Sequence, residues 1–582
     1  MAIDLSKSRY CEGLQCPKRV WLRKYNEKAY DESYNNQALF NEGTAVGKLA
    51  RGLFGDFSEI AYNDDRKKMA QDTQIELKKG ASVIAEASFF VDKLFCSVDI
   101  LRILEQGKVE LYEVKASKEV KPIYLQDISF QCYVLTKAGF EVQKACLVHI
   151  DNTYVRGDEL DIQQLFKIVD LTEHVLGMQD TIKENIAELA CYMEEAGENE
   201  PSTDIGLQCF AVKNTLHTYD CPYFTYCSKG LEKPNVFDIH GMKTKTKVKY
   251  YKGGYCSFAE VLPELTNATY KQQVDYELNN KGEYIDQPAM KDFLSQFHYP
   301  LYFLDFETIN PAIPRYKGTK PYQMQVFQYS LHILDSEDAE LKHIEYLGNP
   351  HNDSRKEIAQ RICQEIPPRA CIVAYNASFE STRIRELAEA YPEMRERLLE
   401  MTGNFVDMMQ PFKARWYYRK EFKGSYSIKE VLPALCPNDS DLNYENLQGV
   451  HKGNEASAIY LEMAEDDCEN IEEKRQQLLK YCKLDTLGMI KILEVLKEKV
   501  NPSSVKVTED LLAEYEDWLK NVKRIKSIDI YMRYVKMKYI EKGIDEDLAQ
   551  KTLNNNKTYN NRFDEFLLNN SNFAVVKLPI NY

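Results

Sequence analysis

The chain has 582 residues, of which 44% are hydrophobic and 28% are charged, and its formal net charge is −15. This length is too great for a single hydrophobic core, so two or three domains are expected. The negative charge argues against a protein coated over its whole surface by nucleic acid, although it leaves room for local basic grooves. No apolar run is long enough to span a bilayer and the N-terminus has no secretory pattern, so we expect a cytoplasmic protein with no membrane partner.

Residues 81–115 contain three segments with alternating side-chain polarity, which predict adjacent β-strands. The third segment carries Glu113 and Lys115, which share one face because side chains two residues apart on a strand do so. Asp99 lies on the preceding segment and Glu86 on the first. A Glu-x-Lys pair alone is a weak signal, because exposed strands often pair these residues in solvent.

Cysteines stand on both sides of these strands, in a chain that has 15 of them. In a reducing compartment they are more often free thiols or metal ligands than disulfides. Four thiolates can hold an iron–sulfur cluster or a zinc ion, and such a site would join two distant segments. Cys11 competes for the N-terminal position of the set. The favoured set is Cys16, Cys209, Cys221 and Cys227.

Together these residues resemble the RecB branch of the PD-(D/E)XK nucleases that carry a [4Fe–4S] cluster, including the CRISPR-associated, Dna2 and AddB types. The resemblance implies a restriction-endonuclease-like α/β domain over residues 1–229, with the four cysteines holding the cluster and zinc as the alternative. It also implies a site for Mg²⁺ or Mn²⁺ formed by Asp99, Glu113 and Glu86. Lys115 would position the attacking water or offset charge on the phosphate.

The sequence departs from that family pattern at two points. Gln131 lies on a predicted helix where the RecB branch has a catalytic glutamine motif, but Tyr133 follows it at an irregular spacing. The family's upstream histidine has no counterpart in residues 42–53. An alternative hypothesis therefore makes residues 1–229 a module that only binds and positions nucleic acid.

Residues 230–297 separate the two halves of the chain. Their turn-rich start, alternating lysines and double glycine predict a linker or a small β element. The lysines of this stretch could contact phosphates.

The second half opens with a strand-like stretch, YFLDFET, which presents Asp305 and Glu307 on one face. Two carboxylates aimed at one point repel each other and are costly to desolvate unless a cation lies between them. Further on, an apolar strand leads into a helix with Glu380 in its first turn. A later helical stretch carries Tyr481 and Asp485 on one face. Alternating strands and helices predict an α/β domain.

In order and local structure these residues resemble the three motifs of the DnaQ/RNase D-like DEDD exonucleases, and the tyrosine implies the DEDDy branch. The resemblance implies an RNase H-like α/β domain over residues 298–500. Such a domain would hydrolyse phosphodiester bonds in the 3′–5′ direction with two Mg²⁺ or Mn²⁺ ions. The motifs stand here as Asp305-Phe-Glu307, Asn376-Ala-Ser-Phe379-Glu380 and Tyr481-Cys-Lys-Leu-Asp485.

The resemblance also implies a role for each motif residue. Asp305 would bridge the two metal ions, and the remaining motif carboxylates would complete the ligand shells. Tyr481 would orient the attacking water by hydrogen bonding. The family's third carboxylate is usually an aspartate, so Asp407 is the alternative to Glu380 at that position.

Residues 412–423 (FKARWYYRKEFK) interleave basic and aromatic side chains. Such a segment suits single-stranded nucleic acid, because rings stack on bases while cations follow phosphates. An amphipathic segment that buries its aromatic rings and exposes its charges explains the pattern equally well. The candidate nucleic-acid contacts are Arg415, Trp416, Arg419 and Lys420.

Residues 501–582 are predicted as a helical, asparagine-rich extension. The whole layout resembles an uncharacterised bacterial family in which the two nuclease modules are fused. It implies a nuclease with two active sites that acts on DNA with a single-stranded end, in repair or in defence against foreign DNA. The sequence has no Walker or helicase motif, so a helicase would be a separate partner. Outside the enzyme class, the alternative is a non-catalytic nucleic-acid-binding scaffold.

Overall fold

The computed structural model describes residues 4–34, 37–217 and 219–500 as a mixed α/β protein. The extension predicted over residues 501–582 lies outside these described residues. Among the helices of the described ranges, none combines the length and the apolar character needed to cross a bilayer.

The chain divides into two compact units. Within the described residues, the large unit comprises residues 4–289 and 295–491, and the second comprises residues 290–294 and 492–500. Both predicted nuclease centres lie in the large unit.

A sheet of seven strands organises the first half of the chain. The strands are β1 (Leu5–Ser6), β2 (Ser58–Glu59), β3 (Val83–Val91), β4 (Leu94–Ile103), β5 (Lys108–Lys115), β6 (Glu141–Ile150) and β7 (Phe166–Asp170). Their order is β2-β3-β4-β5-β6-β7, with β1 paired to β4. β3, β4 and β5 are antiparallel neighbours, which confirms the strands predicted over residues 81–115. Successive side chains of a strand point to opposite faces of the sheet, so each face has its own apolar cluster. On β5, Leu111 belongs to one cluster and Tyr112 to the other.

Helices pack around this sheet. The hydroxyl of Ser6 caps the first of them by accepting the amide of Arg9. The fifth connects β5 to β6, which are parallel and therefore need a crossover. The helices are α1 (Lys7–Gln15), α2 (Pro17–Tyr25), α3 (Gln37–Ala50), α4 (Arg66–Lys78), α5 (Pro122–Lys137), α6 (Ile162–Leu165), α7 (Thr172–Gly177), α8 (Gln179–Ala196) and α9 (Phe224–Cys227).

Residues 230–297 are mainly helical, which differs from the predicted linker or small β element. Val248 is buried and the ring of Tyr251, three residues later, lies 5.3 Å from that of Phe237. This helical spacing of apolar residues outweighs the alternation of the lysines. The elements are α10 (Thr244–Lys252), α11 (Phe258–Val261), α12 (Ala268–Leu278), β8 (Tyr284–Ile285) and α13 (Gln287–Leu294).

A second sheet, of five strands, organises the second half. It contains β9 (Leu301–Ile309), β10 (Gln325–Leu334), β11 (Lys342–Leu347), β12 (Cys371–Ala374) and β13 (Phe405–Asp407) in the order β11-β10-β9-β12-β13. β10 is antiparallel to both of its neighbours, whereas β12 is parallel to β9 and to β13. A separate short strand, β14 (Tyr417–Tyr418), pairs with β8.

Helices lie against this sheet and connect its strands. They are α14 (Arg355–Glu365), α15 (Ala377–Ala390), α16 (Arg395–Met401), α17 (Gln410–Lys413), α18 (Ile428–Leu435), α19 (Gly453–Glu462) and α20 (Ile471–Val500). α14, α15 and α16 contribute to one apolar cluster with the strands. Gln328 of β10 donates to the carbonyl of Leu478 at 2.8 Å, which fixes α20 against the sheet.

The loop between β9 and β10, residues 310–324, contacts the first half of the chain. The amide of Ala312 donates to Glu42 Oε1 at 2.7 Å, and Arg156 donates to the carbonyl of Pro314 at 2.8 Å. Ala312 is fully buried in the apolar cluster that contains Tyr112. These contacts join the two halves within the large unit.

Candidate metal centres

Strand β9 places Asp305 and Glu307 side by side on the wall of a cleft. β9 is an interior strand, and its register sets Asp305 opposite Ser330 and Glu307 opposite Gln328. Glu307 is only 7% exposed. The strand therefore presents both carboxylates in one direction from a rigid position, as the alternation of side chains predicts.

Two helices bring the other motif residues to this pair. α15 begins after Asn376, whose φ of 70° is left-handed, and it carries Glu380 in its first turn. α20 carries Tyr481 and Asp485. Glu380, Tyr481 and Asp485 are each less than a tenth exposed. The charge of Asp305 acts directly on Glu380. We call Asp305, Glu307, Glu380 and Asp485 the C-terminal centre.

Burial and mutual repulsion dominate the electrostatics of the C-terminal centre. Burial raises the pKa of Asp305, Glu307 and Glu380 well above the ordinary range, and neighbouring carboxylates raise each further. Burial also raises the pKa of Asp485, to about 6. The ammonium of Lys429 opposes the shifts of Asp305, Glu307 and Asp485. The ionised centre thus carries more negative charge than Lys429 can balance.

The residues of this centre fit a divalent cation. Asp305, Glu307 and Glu380 line a cleft of about 380 Å³ that also includes Asn376 and Asn454. Glu380 Oε2 is buried and has no hydrogen-bond partner among the described residues. Carboxylate oxygens are the ligands that hard divalent cations prefer. An unpartnered buried oxygen beside other carboxylates is what such an ion would satisfy.

Asp407, the alternative third carboxylate, has a different role. Its Oδ1 accepts the amides of Asn376 at 2.9 Å and Met409 at 3.0 Å. Asp407 therefore stabilises the turn that starts α15, while Glu380 lines the cleft. The geometry favours Glu380 as the residue that faces a bound ion.

Two residues beside the C-terminal centre were missed by the sequence reasoning. Lys429 of α18 donates to the hydroxyl oxygen of Tyr481 at 2.7 Å. Tyr444 donates to Asp485 Oδ1 at 2.5 Å. Neither belongs to a periodic pattern that marks chemistry, so only the folded structure brings them to the site.

The first half contains a second group, which we call the N-terminal centre. Lys115 donates to Glu113 Oε1 at 2.6 Å, and Gln131 of α5 donates to Glu113 Oε2 at 2.6 Å. Asp99 Oδ2 accepts the amide of Val114 at 2.6 Å. Four of the residues predicted for this half are thus brought together.

Lys7 and Asp127, which the sequence reasoning missed, complete the N-terminal centre. Lys7 Nζ lies 2.8 Å from Glu113 Oε1 and 3.4 Å from Asp127 Oδ1, and Lys115 Nζ lies 2.6 Å from Asp127 Oδ2. Burial lowers the pKa of Lys115, but the carboxylates of Asp127 and Glu113 outweigh it and raise that pKa well above its ordinary value. This centre therefore contains its own cations.

Glu86 borders the N-terminal centre. Its φ of 56° interrupts the pairing of β3 with β4. Glu86 Oε1 accepts from Arg51 at 2.9 Å, and Oε2 accepts the hydroxyl of Ser97 at 3.1 Å. Burial raises the pKa of Asp99, and the charge of Glu86 adds to that shift. Glu86 is close enough to act on Asp99 but is held by Arg51 and Ser97.

The four cysteines of the predicted set approach one another from two distant segments. Burial raises the pKa of Cys209 to about 12 and that of Cys221 to about 11, and the sulfurs of Cys16 and Cys227 add to both shifts. Burial also raises the pKa of Cys227, with Cys16 adding to it. Because their sulfurs act on one another, the four cysteines lie close together. They are Cys16, Cys209, Cys221 and Cys227.

Cys11 belongs elsewhere. Burial raises its pKa, and the next charges that act on it are those of Asp127, Lys115 and Lys7. Cys11 therefore lies by the N-terminal centre. Gln15, at the end of α1, donates to the carbonyls of residues 208 and 219, which lie one position before Cys209 and two before Cys221. This arrangement favours Cys16 over Cys11.

The segment over residues 412–423 packs its aromatic rings inward. Tyr417 and Tyr418 are fully buried, and Arg415 lies 4.4 Å from the ring of Tyr418. Rings in these positions cannot stack on bases in this fold. The burial of Tyr417 and Tyr418 fits the amphipathic alternative, whereas Arg415, Trp416, Arg419 and Lys420 are partly exposed and their contact with nucleic acid stays a prediction.

Comparisons with known proteins identify relatives without a described activity. Residues 302–427 match a family described as a domain of unknown function (DUF2779), and that range includes Asp305, Glu307 and Glu380. The uncharacterized protein UU173 of Ureaplasma parvum is 28% identical over 179 residues, which is 29% of this chain and 26% of that protein. The uncharacterized protein MG366 of Mycoplasma genitalium is 27% identical over 225 residues, which is 35% of this chain and 33% of that protein.

The chain spans between 26% and 33% of the length of these curated relatives. No solved structure matches the chain.

Proposed function

We propose that the chain is a metal-dependent nuclease whose catalytic centre is the C-terminal centre. One observation carries the proposal: buried carboxylates with raised pKa values line a cleft, and Glu380 Oε2 among them has no partner within the described residues. Such a set is stable only if it is protonated or holds cations. A non-catalytic scaffold gives no reason for this unbalanced charge.

The four carboxylates of the C-terminal centre would hold Mg²⁺ or Mn²⁺. When bound, the metal ions supply an activated water and stabilise charge on the scissile phosphate. The 3′–5′ direction, the preference for DNA with a single-stranded end and an RNase H-like fold for residues 298–500 rest on the motif resemblance. A role in repair or in defence, a helicase partner and a cytoplasmic location stay predictions on the same basis.

Tyr481 acts as a hydrogen-bond donor in this proposal. Burial and nearby carboxylates raise its pKa, so the phenol remains protonated near neutral pH. Lys429 donates to the hydroxyl oxygen, and the hydroxyl in turn lowers the pKa of Asp485 by hydrogen bonding. Tyr481 is therefore a protonated phenol between Lys429 and Asp485, and in the proposal it would orient the attacking water without deprotonating it.

The proposal assigns residues 1–229 to a RecB-like module with a [4Fe–4S] site at the four cysteines. The choice of a [4Fe–4S] cluster, with a zinc ion as the alternative, rests on the motif resemblance.

One observation favours a second candidate, in which the C-terminal centre alone cuts and residues 1–229 bind and position nucleic acid. Lys7 and Lys115 both donate to Glu113 Oε1, so that carboxylate is already neutralised. A metal ion at the N-terminal centre would have to displace Lys7.

A digestion panel tests both forms of the proposal. End-labelled single- and double-stranded DNA and RNA are incubated with the full chain in Mg²⁺, Mn²⁺ or EDTA. The variant D305N/E307Q removes the C-terminal pair, D99N/E113Q removes the N-terminal pair, and Glu345→Gln on β11 is the control.

We expect D305N/E307Q to lose 3′–5′ trimming and the control to retain it. Cleavage that survives in this variant but needs Glu113 would show a second active site. Binding without cleavage by the wild-type chain under every condition would contradict the proposal and support a scaffold.

A further inference from the structure

Cys482 lies next to Tyr481 on α20 and is fully buried. Its sulfur is 3.3 Å from Asp305 Oδ2. One ligand atom each from Cys482, Asp305 and Glu307 lie within 4.8 Å of one another, and this is the one such group of three or more His, Cys, Asp or Glu residues in the described part of the chain. The sulfur thus belongs to the same cluster as the carboxylate pair of β9.

The distance between Cys482 and Asp305 is compatible with a shared metal ion. A metal–oxygen bond of about 2.1 Å and a metal–sulfur bond of about 2.3 Å place adjacent ligand atoms roughly 3.1–3.6 Å apart, for angles between about 90° and 110°. The observed 3.3 Å falls inside this interval. A hydrogen bond from the thiol to the carboxylate would have a similar length, so an independent observation is needed.

That observation is the unpartnered oxygen of Glu380. The side chain is 2% exposed, lines the same cleft as Asp305 and Glu307, and has no partner for Oε2 among the described residues. A buried carboxyl oxygen without a donor indicates that a cation binds at this cleft. The sulfur of Cys482, 3.3 Å from Asp305 Oδ2, lies beside a carboxylate that would bind that cation.

We propose that Cys482 is a ligand of one divalent ion at this centre, together with Asp305 and Glu307. The inference rests on the proposed nuclease function and adds the class of metal. When the ion binds, the S–H bond breaks, a metal–sulfur bond forms and the proton passes to solvent. Sulfur suits Zn²⁺ and other transition metals, whereas Mg²⁺ prefers oxygen. The position therefore selects Mn²⁺, Co²⁺ or Zn²⁺ over Mg²⁺.

Cobalt provides a readout that does not depend on activity. The full chain, purified with its four-cysteine group loaded, is freed of loosely held ions with EDTA and titrated with Co²⁺. A sulfur–cobalt bond gives an intense charge-transfer absorption. The variants are Cys482→Ser and Asp305→Asn, and Cys363→Ser on α14 is the control, because Cys363 lies outside the cluster.

We expect the wild type and Cys363→Ser to show the absorption, and Cys482→Ser to lose it. The dissociation constant for Co²⁺ should rise by about 10- to 100-fold in Cys482→Ser, the range for residues that orient or bind a metal. The constant for Mg²⁺ should change by less than about tenfold over the same comparison.

An unchanged cobalt spectrum in Cys482→Ser would overturn the inference and leave Cys482 as a hydrogen-bond donor to Asp305. If Cys482→Ser does not fold, Asp305→Asn tests the same point, because it removes the adjacent ligand and should weaken the same absorption. A wild-type chain that cleaves DNA but lacks the absorption would contradict only this inference. A chain that has the absorption but cleaves no substrate would contradict only the proposed nuclease function.

Discussion

The two carboxylate centres of this chain differ in the source of their positive charge. At the N-terminal centre, Lys7 and Lys115 lie 2.8 Å and 2.6 Å from Glu113, and Lys115 also pairs with Asp127. At the C-terminal centre, three carboxylates (Asp305, Glu307 and Glu380) line a cleft, and the nearby Lys429 donates to the hydroxyl oxygen of Tyr481.

This difference teaches that residue types alone do not decide whether a centre needs a metal ion. A buried carboxylate without a cation costs several kcal/mol, and the cost falls when a lysine or a metal ion lies beside it. The N-terminal centre contains its own counter-charges. The C-terminal centre must obtain them from solution.

The largest expected effect is catalytic and separates the two centres directly. Asp305→Asn should lower kcat/KM for 3′–5′ trimming by at least about 10³-fold, because it removes charge on which transition-state stabilisation depends. Asp99→Asn should lower the same quantity by less than about tenfold if the N-terminal centre does not cut. Single-turnover kinetics with an end-labelled oligonucleotide measure both. Equal losses in the two variants would contradict the distinction between the centres.

Removing Lys7 should make the N-terminal centre resemble the C-terminal one. Lys7→Met leaves Glu113, which is 1% exposed, with one cation fewer. We expect the free energy of unfolding in EDTA to fall by about 2 kcal/mol, the lower end for a broken buried charge pair. Mn²⁺ should restore most of the loss, because an ion can replace the ammonium.

Urea unfolding in EDTA and in Mn²⁺ measures the effect of Lys7→Met, and Lys68→Met on the exposed face of α4 is the control. Stability that falls by the same amount with and without Mn²⁺ would show that Lys7 does not occupy a position open to a metal ion.

Lys429 gives the converse experiment at the C-terminal centre. Lys429→Met removes a cation that opposes the raised pKa values of Asp305 and Glu307, so divalent ions should bind more tightly. It also removes the donor to Tyr481. We expect kcat to fall by about 10²-fold, within the range for a lost acid–base or orienting group. In Lys429→Met, the affinity for Mn²⁺, measured by calorimetric titration, should therefore rise while kcat falls. A loss of both affinity and kcat would mean that the variant disturbs the fold.

The parts of the site that lie within one element could be predicted from the sequence. Asp305 and Glu307 share a strand, Tyr481 and Asp485 share a helix, and Glu380 stands in a first helical turn, so local periodicity was sufficient. Contacts between residues far apart in the chain could not be predicted in this way. Lys7 reaches across 106 residues to Glu113, and no periodic pattern encodes such a contact.

Two further features show what misled the sequence reasoning. The lysines of residues 243–249 alternate as in a strand, but the buried Val248 and the packed Tyr251 impose a helix. The rings of residues 412–423 suggested base stacking, yet tertiary packing buries Tyr417 and Tyr418. In both segments the pattern of charged side chains described only the face exposed to solvent, and the buried apolar side chains determined the structure.

A buried histidine that contacts α20 should contribute to the pH dependence of stability in the C-terminal half. His332 is 2% exposed, its Nδ1 lies 2.8 Å from the hydroxyl of Thr486, and it faces His343 and Lys483. Burial, His343 and Lys483 lower its pKa from 6.5 to about 3. Because the unfolded chain takes up the proton first, the contribution of His332 to stability is lost as pH falls below about 6.5, by roughly 2 kcal/mol at pH 5, while protonation of the buried carboxylates acts in the opposite direction.

Urea unfolding of the wild type and of His332→Gln at about pH 7.5 and about pH 5 isolates this contribution. The variant, which keeps a polar side chain, should lose about 2 kcal/mol less than the wild type over that interval. The same slope in the variant and the wild type would show that another group controls acid stability.

The smallest expected effect concerns stability without metal. Burial raises the pKa of Asp305, so ionisation of this carboxyl opposes folding at pH values above the unfolded pKa of 3.8, and the opposition is lost only as pH falls below that value. Asp305→Asn removes this charge and should raise the free energy of unfolding in EDTA near neutral pH by about 1 kcal/mol. The exposed Asp335→Asn is the control. In saturating Mn²⁺ the order should reverse, because the variant loses a ligand that stabilises the wild type by mass action. A variant that is less stable than the wild type in both conditions would mean that Asp305 is satisfied without a metal ion, as Glu113 is at the N-terminal centre.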